Sequence, residues 1–153
     1  GYSLARKVVG DTPLTDPLPG GNGESIGAAL CATHRSYHGV LASVIEQDLL
    51  MAMAHITGGG MQDNLPRVLP EHVGAVVDVS AWQRPALFDW LIQGAELGIE
   101  DAHQIFNCGI GMVLIVAADD VASVQASIDE ATWVIGETVA YDGSSARVQL
   151  VNI

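Results

Sequence analysis

"TWVIGETVAYDGSSARVQLVN", residues 132–152, sets two β-rich runs on either side of Asp142, Gly143, Ser144 and Ser145. Valine, threonine and tyrosine fit a half-buried pleated surface, and an Asp-Gly step between such runs is a hairpin signal. The stretch decides the fold class because strand-like and helix-like segments alternate upstream of it. One more helix and strand would have continued a parallel α/β sheet, whereas a terminal hairpin breaks the alternation. The expected fold is therefore α+β, a mixed β-sheet with packed helices, in a single domain over residues 1–153.

Upstream, "DDVASVQASIDEA" (119–131) reads as an amphipathic helix that opens on acids, and "GIGMVLIVAA" (109–118) as a strand too apolar for a sheet edge. "IEDAHQIF" and "RPALFDWLIQGAEL" read as helices, the second with Pro85 in its first turn, and "HVGAVVDVS" reads as a strand. "LLMAMAHI" reads as a buried strand, "SYHGVLASVIEQ" as a helix and 24–30 as a shorter one. Residues 11–23, rich in proline and glycine, read as an irregular loop, and "YSLARKVVG" as a helix capped by Ser3 and ended by Gly10.

Eighteen acidic residues against six basic ones give a formal charge of −12, which disfavours nucleic acid or an anionic membrane as partner. The longest apolar run, Ile110 to Ala118, is short of the ~20 residues a membrane helix needs. No signal-peptide layout opens the chain. Cys31 and Cys108 lack any ligand spacing and read as free, mostly buried thiols of a reducing, cytoplasmic compartment. Walker lysine, zinc and nucleophile-elbow motifs are all absent.

The chemistry-bearing stretch is "AHITGGGMQDNLPRVLP", residues 54–70. Gly58, Gly59 and Gly60 provide either a tight strand-to-helix turn or a backbone that lies against a ligand. Pro66 is expected to push Leu65 out of the helical region and end a single turn near Asn64. The amides of residues 59–62 would then stay open to a phosphate or carboxylate, with the Thr57 hydroxyl and the Arg67 guanidinium as further donors. His55 is read either as a hydrogen-bonded core residue or as a functional one. "THRSY" (33–37) suits an anion or a helix cap, and in "FNCGIGM" (106–112) the glycines suit close backbone packing. Trp82, Trp90 and Trp133 are too dispersed for a stacking platform and read as core or interface.

"GYSLARKV", "THRSY", "AHITGGGMQDNLPRVLP" and "FNCGIGM", in this order and spacing, resemble the aminoimidazole ribonucleotide (AIR) synthetases, the phosphoribosylformylglycinamidine cyclo-ligases of purine biosynthesis. The likeness runs over nearly the whole chain and corresponds to the family's C-terminal domain, without the N-terminal ATP-binding domain. It implies a cytoplasmic enzyme, homodimeric at full length, that uses ATP and Mg2+ to close formylglycinamidine ribonucleotide to aminoimidazole ribonucleotide. ATP and the metal would be held mainly by the missing domain, so this chain alone is expected to be inactive and to bind neither. His55 becomes the candidate catalytic residue, and Thr57, Gly58, Gly59, Gly60, Asn64 and Arg67 the candidate substrate and phosphate contacts. Thr33 and Cys31 depart from the proline and leucine frequent in the family. The alternative is a stand-alone, non-catalytic module of the same superfamily that binds a phosphate ligand.

Overall fold

A computed structural model describes all residues, 1–153. The chain begins with α1 (Tyr2–Val9), α2 (Ile26–Leu30) and α3 (His38–Glu46), and β1 (Ala52–His55) follows. Next come α4 (Gly60–Asn64) with a 3-10 turn (Leu65–Arg67), β2 (Val73–Asp78), α5 (Ala86–Gly94), α6 (Ile99–Ile105) and β3 (Met112–Ile115). A second 3-10 turn (Ala118–Asp120), α7 (Val121–Ser127), β4 (Gly136–Ala140) and β5 (Val148–Val151) complete it. Helices and mixed strand pairing make the fold α+β, as the sequence implies. No helix is long and apolar enough to cross a membrane.

The strands form two sheets. β1 pairs with β3 antiparallel, Ala54 opposite Val113, and β2 lies between β4 and β5 in the second sheet. The expected terminal hairpin is absent: β4 runs antiparallel to β2 and β5 parallel to it on the other side. Tyr141 to Arg147 is too long for a two-residue hairpin turn, and it crosses the end of β2 instead. Tyr141 N–H donates to the His72 carbonyl, and the Arg147 guanidinium donates to the carbonyls of Val73 (2.9 Å), Leu69 (2.7 Å) and Pro70 (2.5 Å). The "DGSS" turn forms inside this crossing, where Asp142 accepts from both the backbone and hydroxyl of Ser144.

Other expectations are corrected locally. Ser3 lies inside α1, which is preceded by Gly1, and makes no cap; the side chain that caps a helix is Ser25, on Ala28 N–H at the start of α2. Leu65 keeps helical angles (φ −63°, ψ −42°) despite Pro66, because the chain tightens into a 3-10 turn in which the proline's missing donor is not needed. In β1 only Ala54 is buried, since a strand in a two-stranded sheet has a solvent side. β3, expected away from any edge, has β1 as its one partner. Cys31 is exposed and Cys108 buried.

Three apolar clusters hold the elements. Ile56, Leu65, Val77 and Trp82 are among the residues buried around the sheets, Ala5, Leu91 and Phe106 join α1, α5 and α6, and Leu41, Val44, Val124 and Ile128 join α3 to α7.

Candidate functional site

The glycine loop leaves β1 and turns sharply against the end of α6. Gly59 and Gly60 take φ of 93° and 61°, angles that cost an L-residue roughly 1–2 kcal/mol. A Cβ on Gly60 would stand 1.7 Å from the His103 carbonyl oxygen, and one on Gly59 2.3 Å from Asp63 Oδ2. Gly59 N–H donates to the Gln104 carbonyl at 3.0 Å, satisfying one of the open acceptors at a helix C-terminus. Gly60 N–H donates to the Thr57 carbonyl. Two of the four amides expected to be open are thus already used. Gly58 is different: it is exposed, and a Cβ there would meet nothing within 4 Å.

Asn64, buried, ties the loop from below. Its Nδ2 donates to the carbonyls of Gly60 (2.6 Å) and Gly58 (3.3 Å), and its Oδ1 accepts from the Thr57 hydroxyl at 3.2 Å. The Asn64 side chain is therefore committed to the loop's own backbone. Thr57 and Arg67 are exposed. The chain's two ion pairs, Arg35 with Glu130 and Arg84 with Asp89, leave Arg67 without a carboxylate partner.

His55 ends β1 with its side chain exposed, and two other rings gather around it. The His34 centroid lies 5.1 Å away and the Tyr37 centroid 5.9 Å away, edge-on. A Cβ on residue 111 would fall 1.9 Å from the Tyr37 hydroxyl oxygen, so Gly111 is what admits the tyrosine. Ile56 N–H donates to the Gly111 carbonyl at 2.9 Å and fixes the two segments together. "THRSY", "AHITGGG" and "FNCGIGM" therefore meet at one place. Sequence reasoning marked each segment but did not pair His34 and Tyr37 with His55; the glycine at 111 was the one visible sign that a side chain had to enter there.

Two buried groups close off other chemistry. Burial pushes the Cys108 thiol up to about 11, and its Sγ donates to the Ala102 carbonyl, so it is no nucleophile at neutral pH. His103 is buried edge-on against Trp82, whose Nε1–H donates to the Cys108 carbonyl at 2.9 Å. Desolvation, with a smaller effect of the Arg84 charge, holds the His103 pKa below the usual value of 6.5. Gly109 packs on Pro85, with a would-be Cβ 2.6 Å from the ring, in keeping with a packing role for the "FNCGIGM" glycines.

Helices packed with an antiparallel and a mixed sheet, and an imidazole–phenol cluster where a strand runs into a glycine loop, define an α+β domain with a polar site at the end of β1. The family described as AIR synthase related protein, C-terminal domain, matches residues 1–149, and the chain belongs to that family. Over its whole length the chain is 39% identical to part of the bifunctional purine biosynthetic protein ADE1 of Schizosaccharomyces pombe, of which it covers 20%. It is likewise 39% identical to part of the human trifunctional purine biosynthetic protein adenosine-3, covering 16% of that protein. The chain thus spans a fifth or less of the length of these relatives.

Proposed function

We propose that the chain is the substrate-side C-terminal domain of a phosphoribosylformylglycinamidine cyclo-ligase, which closes formylglycinamidine ribonucleotide to aminoimidazole ribonucleotide in purine biosynthesis. The family match and the purine-biosynthetic relatives support the pathway. The observation that carries the site is the meeting of His34, Tyr37 and His55 beside exposed Thr57 and Gly58.

In such a ring closure the nucleophile is already tethered to its electrophile, so the protein's part is orientation and electrostatic stabilisation. Gly58 N–H and the Arg67 guanidinium offer donors for the ribonucleotide phosphate, and the Thr57 hydroxyl joins them by turning away from Asn64. Gly59, Gly60 and Asn64 act on the ligand indirectly, by holding the loop. His55, boxed by His34 and Tyr37, is the group placed to orient the amidine or to move a proton during closure. ATP supplies activation of the formyl oxygen when bound. In this reading ATP and Mg2+ are held mainly by the ATP-binding domain that the resemblance to the cyclo-ligases implies.

Calorimetric titration of the chain with formylglycinamidine ribonucleotide, ribose 5-phosphate and ATP tests the reading. Binding of the two sugar phosphates, lost in Arg67→Ala and without ATP binding, is the expected result. Tight ATP binding, or sugar-phosphate binding indifferent to Arg67 and Gly58, would overturn it.

A further inference from the structure

His34 lies in the loop before α3 and His55 at the end of β1, far apart in sequence, and the fold brings their imidazole centroids to 5.1 Å with the ring planes tilted by 58°. Both side chains are exposed, and the chain's two ion pairs use neither ring. The polar groups next to them in sequence are engaged elsewhere, Arg35 with Glu130 and the Thr57 hydroxyl with Asn64. His55 is also held in place. Ile56 N–H fixes the end of β1 to the Gly111 carbonyl, and Tyr37, its hydroxyl lodged at Gly111, stands edge-on to the His55 ring at 5.9 Å.

Ring packing alone is satisfied by any centroid separation between about 4.5 and 7 Å. A shared metal ion is more demanding. With Zn–N bonds of about 2.0–2.1 Å, each ring centre lies ~3.2 Å from the ion. Two rings at the tetrahedral angle of about 109° then have centroids ~5.2 Å apart, and at a right angle ~4.5 Å. The observed 5.1 Å matches the tetrahedral case, and the tilt sets the pair apart from face-to-face stacking.

We propose that His34 and His55 form a binding site for a borderline divalent transition ion of the Zn2+ type, each ring giving one nitrogen. No third His, Cys, Asp or Glu side chain joins them, so water fills the rest of the shell. Neutral imidazole suits Zn2+, Ni2+ and Cu2+, whereas Mg2+ takes oxygen ligands and keeps much of its water. The site therefore differs in kind from the Mg2+ of the reaction proposed above, and it does not depend on that reaction. The formal charge of −12 draws every cation toward the surface, and preference for Zn2+ over Mg2+ is what separates a built site from that diffuse attraction.

Calorimetric titration with Zn2+ tests the site, in a Cys31→Ser background that removes the exposed thiol as a competing ligand. One ion per chain is expected, retained with Mg2+ in roughly 100-fold excess. His34→Ala and His55→Ala should each weaken binding by roughly tenfold or more. His72→Ala, which removes an exposed imidazole before β2, should leave it unchanged. Magnetic resonance of the unmodified chain reads the same site without a variant: the ring C–H signals of His34 and His55 should shift together as Zn2+ is added, and those of His72 should stay. Absence of Zn2+ binding, displacement by Mg2+, binding indifferent to both alanine variants at 34 and 55, or unmoved ring signals of His34 and His55 would overturn the site.

Discussion

Gly58 and Gly60 stand two residues apart under opposite demands. A methyl at 60 meets the His103 carbonyl at 1.7 Å and must hold a φ of 61°, while a methyl at 58 meets nothing. Combining the left-handed cost with the backbone shift that relieves the overlap, Gly60→Ala should lose about 3 kcal/mol, and Gly58→Ala within about 0.5 kcal/mol. Urea midpoints of the two variants decide it, and equal losses would sink the assignment of Gly60 to packing. His103 gives a pH dependence. Its folded-state pKa lies below the ordinary 6.5, so the unfolded chain takes up the proton first. Stability should hold above pH 6.5 and fall as pH drops from there toward the folded value. His103→Gln should flatten that part of the profile in denaturation series between pH 7.5 and 5; an unchanged slope would remove His103 as its source. A run of three glycines announces bare backbone in any sequence. What it lies against, the end of α6, comes much later in the chain, and no local pattern names it. The same holds for His55: its place at the end of a strand was legible, its neighbours His34 and Tyr37 were not.

The last two strands show where element-level reading stops. Their positions follow from β-branched residues and turn chemistry, which are local, and both strands are present. Their pairing depends on β2, whose Gly74 lets the Arg147 carbonyl come to 2.6 Å from where a Cβ would sit. Arg147 then anchors the crossing on three carbonyls around the start of β2. A guanidinium presents a planar fork of donors that an ammonium cannot match. Arg147→Met should therefore cost about 2 kcal/mol, and Arg147→Lys should recover less than half of it. Urea midpoints check this, and a lysine variant as stable as the parent would mean that charge rather than the fork holds β5. The apolar run in β3 was read as a strand with neighbours on both sides, and the structure pairs it on one. Because periodicity reports burial and not the identity of a partner, that reading fixed the strand's character and left its neighbours open.

Across the whole molecule the charge is unbalanced in a way the folded structure does little to offset. The formal charge is −12, and two of the six basic residues, Arg35 and Arg84, are in ion pairs. Each surface pair is worth about 0–1 kcal/mol and is weakened by salt. The repulsion among the remaining acids acts over longer distances and opposes compaction. Raising NaCl from 0.01 M to 0.1 M shortens the screening length from about 30 Å to about 10 Å. This removes most long-range repulsion while leaving contact pairs largely intact. Net stability should rise by about 1 kcal/mol, which for a domain of this size moves the melting temperature up by roughly 2–4 °C. A falling melting temperature would mean that Arg35–Glu130 and Arg84–Asp89 outweigh the field of the whole chain. Glu130→Gln separates the two cases: if repulsion dominates, removing one negative charge offsets the lost pair and the variant melts close to the parent at low salt.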